Sequence, residues 1–161
     1  MGIFDRMKKD KALAIAACAD GMVVPMENIP DPAFSGGILG FCAGIEPDGG
    51  DIFAPADGVI SQLSETLHAV GIQTDDGVEL LVHVGIDTVA MGGEGFSPAV
   101  KAGDRVKTGQ FLLRADLEQI RSAGHPVTVV TAIPESDGYT AVIPAASGRI
   151  RRGETLLEIR R

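Results

Sequence analysis

The sequence has no tryptophan, one tyrosine and only two cysteines, Cys18 and Cys42. Two cysteines are too few for a disulfide framework or a zinc ribbon, and they suit a reducing cytoplasm. No apolar run approaches the roughly 18 residues of a membrane-spanning helix, which excludes an integral membrane protein of that kind. Positive charge is also short: 14 Lys and Arg stand against 22 Asp and Glu, a net charge of −8. That balance argues against nucleic acid as a partner, because such binding draws on counterion release by basic residues. Neither a Walker A sequence nor a kinase glycine loop is present, so nothing points to ATP as a substrate.

What remains is an ordinary globular balance of 45% hydrophobic and 22% charged residues in 161, a length that favours one domain with a real core. Twenty-one glycines and nine prolines with few aromatics point to many short strands joined by turns. The first residues read differently. Arg6, Lys8, Lys9 and Lys11 precede the apolar stretch from Ala12 to Cys18, and Ile15-Ala-Ala-Cys18 has the look of a lipoprotein cleavage box. The stretch is at the lower limit for a signal core and is mostly alanine. The reading adopted is a flexible or short helical segment over 1–18, a domain over 19–161, and a cytoplasmic protein. Ile3, Phe4 and Met7 fall on one side at helical spacing among basic residues, which suits weak contact with an anionic membrane surface.

Two internal echoes organise the rest. Ala19-Asp-Gly-Met-Val23, Ala56-Asp-Gly-Val-Ile60 and Ala146-Ser-Gly-Arg-Ile150 each place a turn glycine before a β-prone pair. Val106-Lys-Thr-Gly-Gln-Phe-Leu-Leu113 and Ile150-Arg-Arg-Gly-Glu-Thr-Leu-Leu157 share a basic residue, a turn glycine and a strand ending Leu-Leu. The repetition predicts a β-sandwich whose halves reuse one hairpin unit. One internal helix is expected over Asp116–Gly124, stopped by the glycine and by Pro126, and a buried strand over Val127–Ile133.

The chain has three histidines: His68, His83 and His125. His68 and His83 flank Asp75-Asp-Gly77, a strong hairpin signal. A two-residue loop, in either of two registers, puts both imidazoles on one sheet face with Val70 and Leu81, about 5–8 Å apart. A three-residue loop sends them to opposite faces. Val78, Leu80, Val82 and Val84 form an apolar row on the reverse face. Two imidazoles at that distance can bind a metal, relay a proton, or carry and stabilise a phosphoryl group. His125, at a helix-to-strand corner, has no such partner.

Gly77-Val-Glu-Leu-Leu-Val-His-Val-Gly-Ile-Asp-Thr88 resembles the signature of the glucose-family enzyme IIA of the bacterial phosphoenolpyruvate:sugar phosphotransferase system. The resemblance continues through Thr66-Leu-His-Ala69, Pro30-Asp-Pro-Ala-Phe34, Phe53-Ala-Pro-Ala-Asp-Gly58, Gly93-Glu-Gly-Phe96 and Gly103-Asp-Arg-Val-Lys-Thr-Gly-Gln110, and back to Gly2-Ile-Phe-Asp-Arg-Met7. It implies an all-β, antiparallel barrel-sandwich fold with a duplicated hybrid motif and one or two short helices. It implies a phosphocarrier that takes a phosphoryl group from phospho-HPr and passes it to a IIB domain, without a cofactor or metal. His83 matches the phosphorylated histidine, His68 the supporting one, Thr66 a supporting hydroxyl, and Gly85 the residue whose carbonyl orients the phosphorylated ring. Asp31 and Asp87 match acidic docking residues, with Phe34, Val89 and Phe96 as part of an apolar patch beside them.

The departures are Phe41-Cys42, where an acidic residue and glycine are common, Leu67, where a small polar residue is common, and Val70. They bear on the rim of the site and the choice of partner. Three other classes compete. A zinc peptidase on a related barrel lacks its third ligand here. A lipoyl or biotinyl carrier lacks a lysine at the hairpin tip. A regulatory binding module keeps the fold without phosphotransfer.

Overall fold

The computed structural model describes residues 12–161. Fourteen strands run in chain order: β1 (Leu13–Ala16), β2 (Gly21–Val24), β3 (Phe41–Pro47), β4 (Asp51–Phe53), β5 (Gly58–Leu63), β6 (Ala69–Thr74) and β7 (Glu79–Val84) form the first seven. They are followed by β8 (Phe96–Pro98), β9 (Arg105–Val106), β10 (Phe111–Ala115), β11 (Val129–Ile133), β12 (Ala141–Pro144), β13 (Arg149–Ile150) and β14 (Thr155–Arg160). An eight-stranded antiparallel sheet has the order β13-β2-β3-β11-β7-β6-β5-β9, and two three-stranded sheets, β1-β14-β12 and β4-β10-β8, complete the architecture. Aliphatic side chains from all three sheets, among them Ile15, Ile45, Ile52, Ile72, Leu80, Val82, Val84, Leu113 and Leu157, form one buried cluster. The all-β sandwich is therefore as expected.

The duplication extends to single hydrogen bonds. After β9, Lys107 N bonds Gln110 Oε1 at 3.1 Å and Gly109 N bonds Ala54 O at 2.8 Å. After β13, Arg151 N bonds Glu154 Oε1 at 2.7 Å and Gly153 N bonds Ala17 O at 3.0 Å. Asp57 Oδ1 accepts from Thr108 N, and Asp20 Oδ1 accepts from Arg152 N, each at 2.7 Å. The two Ala-Asp-Gly copies at 19–21 and 56–58 are thus true equivalents. The third echo is not: β13 is the strand that pairs with β2, as β9 pairs with β5.

The boundary expected at residue 18 falls inside the folded body. Leu13 to Ala16 pair with β14, and Cys18 is fully buried beside Thr131, its Sγ 3.8 Å from the hydroxyl. Alternation of Leu13 and Ile15 with less apolar neighbours was the available strand signal, hidden by alanine. A lipid on Cys18 has no room in this fold. The basic residues and the apolar trio of the first eleven positions lie outside the described residues.

Two short α-helices are present among the described residues. α2 (Leu117–Ser122) is capped by Asp116, whose side chain accepts from Gln119 N. α1 (Pro32–Ser35), not marked out from sequence, starts from an Asp31 cap with proline at its first position, a favoured combination. β11 is buried along its length, two residues shorter than the expected run. A second, smaller cluster of Ile29, Phe34, Cys42, Ile86, Val130 and Ala132 lies apart from the main core. Val130 pairs with His83 and Ala132 with Leu81, so this cluster covers the outer face of the sheet where the histidines sit.

Candidate functional site

His83 belongs to β7, a central strand held between β11 and β6. Its Nδ1 lies 2.8 Å from the carbonyl oxygen of Gly85. A carbonyl only accepts, so Nδ1 carries the proton and Nε2 keeps an in-plane lone pair. The carbonyl is itself fixed. Gly85 N donates to Thr128 O at 2.9 Å, Ile86 N to Pro126 O at 3.0 Å, and the buried Thr88 hydroxyl to Val84 O at 2.6 Å. Glycine is required there: φ is +77°, and a Cβ would stand 2.5 Å from Thr88 Cγ2. Thr88 and Thr128 as supports were not legible as such, since a threonine near a strand end carries no sign of its hydrogen-bond partner.

The hairpin differs from both registers that favoured a shared face. Ala69 pairs with His83 and Ile72 with Leu80, and Thr74 closes on Val78, which leaves a three-residue loop. Val70 therefore pairs with Val82 on the core face, away from Leu81, contrary to expectation. Alternation would send His68 to the core side as well. The rings nevertheless meet, with centroids 4.7 Å apart at an interplanar angle of 82°. The strand begins at Ala69, so His68 is outside it, and the preceding Leu67 is left-handed with φ +63°. The alternation rule does not extend through that turn. Thr66 Oγ1 lies 2.7 Å from His68 Nδ1, and Ser64 Oγ 3.5 Å from the same atom.

Burial sets the electrostatics. It lowers the pKa of His83 to about 4, helped by the second imidazole and opposed by the Gly85 carbonyl, Asp31 and Asp87. Burial also lowers that of His68, against a hydrogen bond from the ring to the Thr66 backbone. Both rings are neutral at pH 7.

The other predicted residues separate into two groups. Phe34 and Phe96, expected in an exposed patch, are buried at 2% and 6% exposure. They are aromatic supports: Phe34 meets His83 edge-on at 5.1 Å, and Phe96 is tilted 6.5 Å from His68. Val89 is exposed, at 57%. Ile38 (78%) and Leu39 (37%), in the loop after α1, are also exposed and were missed, although an apolar pair between glycines was a usable signal. Asp31 is half-buried and its Oδ1 is taken by Ala33 N, whereas Asp87 is exposed with φ +59°. Cys42 is buried, its Sγ donating to Phe34 O at 3.5 Å, and burial raises the thiol to about 11. That makes it packing beneath the site rather than a nucleophile. His125 caps the end of α2 through its backbone N–H to Ile120 O.

A duplicated β-sandwich with a rigidly oriented imidazole beside a second one defines the architecture of a IIA protein. A solved structure of the glucose permease IIA from Mycoplasma capricolum superposes with a TM-score of 0.80 at 29% identity, covering 92% of this chain and 96% of that one. Residues 13–139 match the family model for phosphoenolpyruvate-dependent sugar phosphotransferase system, EIIA 1, and the chain belongs to that family. The glucose-specific EIIA component of Haemophilus influenzae is 36% identical over 98% of this chain and 97% of its own length. The beta-glucoside-specific EIIBCA component of Dickeya chrysanthemi is 38% identical over 86% of this chain, which spans only 22% of that longer relative. The chain is thus of the EIIA type of sugar phosphotransferase systems.

Proposed function

We propose that His83 accepts a phosphoryl group on Nε2 from phospho-HPr and delivers it to a cysteine of a IIB domain. The observation that carries this is the 2.8 Å hydrogen bond from Nδ1 to the Gly85 carbonyl. It assigns the proton to one nitrogen and the nucleophilic lone pair to the other. In acceptance, the Nε2 lone pair attacks phosphorus while the P–N bond of the donor histidine breaks and its electron pair returns to the donor ring. In delivery, a thiolate attacks phosphorus, and the bonding pair returns to His83 Nε2. With the Thr66 hydroxyl donating to Nδ1, His68 holds its own proton on Nε2 and donates it to a phosphoryl oxygen.

Ile38, Leu39 and Val89 are exposed in the segments that follow Phe34 and Asp87, and the charges of Asp31 and Asp87 act on His83, features suited to a partner with an apolar patch and basic side chains. Fusion of EIIA-like sequence with B and C components in the beta-glucoside relatives supports a IIB partner. Among the described residues no helix is long and apolar enough to cross a membrane, and a cytoplasmic location fits the two unpaired thiols.

The test is radiolabel transfer from phosphoenolpyruvate through enzyme I and HPr, read separately on this protein and on a IIB acceptor. His83→Gln is expected to take no label, because glutamine has no basic nitrogen. His68→Gln is expected to accept label but to lose onward transfer by roughly 10²–10³-fold, the usual effect of removing one charge-stabilising donor. Acceptance by His83→Gln with loss in His68→Gln would place the nucleophile on the other ring.

A further inference from the structure

Among the described residues, twelve glycines and two other residues have a left-handed backbone, and the two others flank the histidine pair: Leu67 and Asp87. Aspartate tolerates this region through its short polar side chain, but leucine rarely enters it. Such a conformation persists only where the surroundings over-determine it. Leu67 is half-buried and packs against the main core. Its Cδ1 and Cγ lie 3.6 and 3.8 Å from the position a Cβ would take on Gly93, so the isobutyl group rests on the bare backbone of the 92–95 loop. That loop leads directly into Phe96, whose ring faces His68. On the other side, Leu67 N donates to Ser64 O at 2.9 Å and closes the turn whose Ser64 and Thr66 hydroxyls approach His68 Nδ1.

The geometry points to Leu67 as a positioning residue for the supporting imidazole: anchored across the glycine loop, it holds the left-handed turn that presents His68 to His83. His68 reaches its neighbour only because the turn breaks strand alternation, so loosening the turn releases His68 while leaving His83 on its strand. The consequence for transfer rests on the phosphocarrier reading; the consequence for the His68 ring does not.

Three variants separate anchor from backbone. Leu67→Ala keeps the strained backbone without the anchor, Leu67→Asn accepts the backbone but not the apolar contact, and Leu67→Met retains the reach. The measurements are imidazole titration by two-dimensional proton–nitrogen NMR and label transfer. In Leu67→Ala and Leu67→Asn, the His68 titration is expected to move up toward the ordinary histidine value, with Nδ1 losing its Thr66 signature. Onward transfer falls about tenfold, and acceptance changes by less than about twofold. Leu67→Met restores both. A folded Leu67→Asn protein with wild-type His68 titration overturns the proposal, and so does Leu67→Met behaving as Leu67→Ala. If Leu67→Ala does not fold, the asparagine and methionine variants still decide. A wild-type protein that takes no label contradicts the phosphocarrier reading, while the titrations still judge Leu67.

Discussion

Replacing Gly85 with alanine probes the support of the nucleophile. The backbone at φ +77° carries a penalty of roughly 1–2 kcal/mol for any residue with a Cβ. The new Cβ would also stand 2.5 Å from Thr88 Cγ2 and 3.2 Å from Pro126 O. Relieving such overpacking typically costs another ~1–3 kcal/mol. Stiffening of the unfolded chain returns about 0.4–1 kcal/mol. The net loss is therefore roughly 1–5 kcal/mol, a fall in Tm of about 2–18 °C for a chain of this size. Thr88→Ser removes Cγ2 but keeps the hydroxyl that donates to Val84 O. The double variant should recover the steric part and leave the left-handed part, giving a coupling of ~1–3 kcal/mol in a double-mutant cycle by urea denaturation. Additivity within about 0.5 kcal/mol, or a Gly85→Ala protein as stable as wild type, would refute the reasoning.

Four other outcomes follow from the same geometry. Because the native His83 pKa is near 4 rather than 6.5, phosphoryl acceptance should persist undiminished from pH 7 to about pH 5 in a quench-flow series, falling only as pH nears 4. The unfolded ring binds its proton first, so this group's share of stability is fully present above pH 6.5 and is lost progressively as pH falls to about 4, measurable by denaturation against pH. Thr66→Val should weaken onward transfer about tenfold and Thr66→Ser should restore it, since one hydrogen bond to His68 is at stake; an unchanged rate with valine contradicts that role. Cys18 and Cys42, both buried with thiols raised to about 11, should resist a thiol reagent until the protein is unfolded; stoichiometric native labelling would contradict their placement.

The sandwich was legible because the two hairpin echoes repeat both the turn glycine and the polar residue that closes the turn. The apolar row Val78–Val84 marked the core face for the same reason that β7 is central: alternate residues are buried without exception. The N-terminal strand was not legible, since its four residues are half alanine and follow a basic stretch. The register was missed by one residue. Asp75, Asp76 and Gly77 all lie in the loop, and the side chain of Thr74, which accepts from Val78 N at 2.9 Å, closes it. That slip alone would have separated the histidines. Their meeting depends on Leu67, whose left-handed backbone no propensity rule assigns to leucine. Phe34 and Phe96 read as docking surface because an aromatic beside a polar site looks the same in sequence whether it faces solvent or supports a ring from beneath.

The most direct test of the central claim is to identify the phosphorylated atom. The protein is labelled with nitrogen-15 in its histidines, phosphorylated through enzyme I and HPr, and examined by phosphorus–nitrogen coupling in NMR. The account predicts a single phosphoramidate on Nε2 of His83, with Nδ1 still protonated and bonded to the Gly85 carbonyl. A phosphoryl group on Nδ1 of His83, or on either nitrogen of His68, would contradict it.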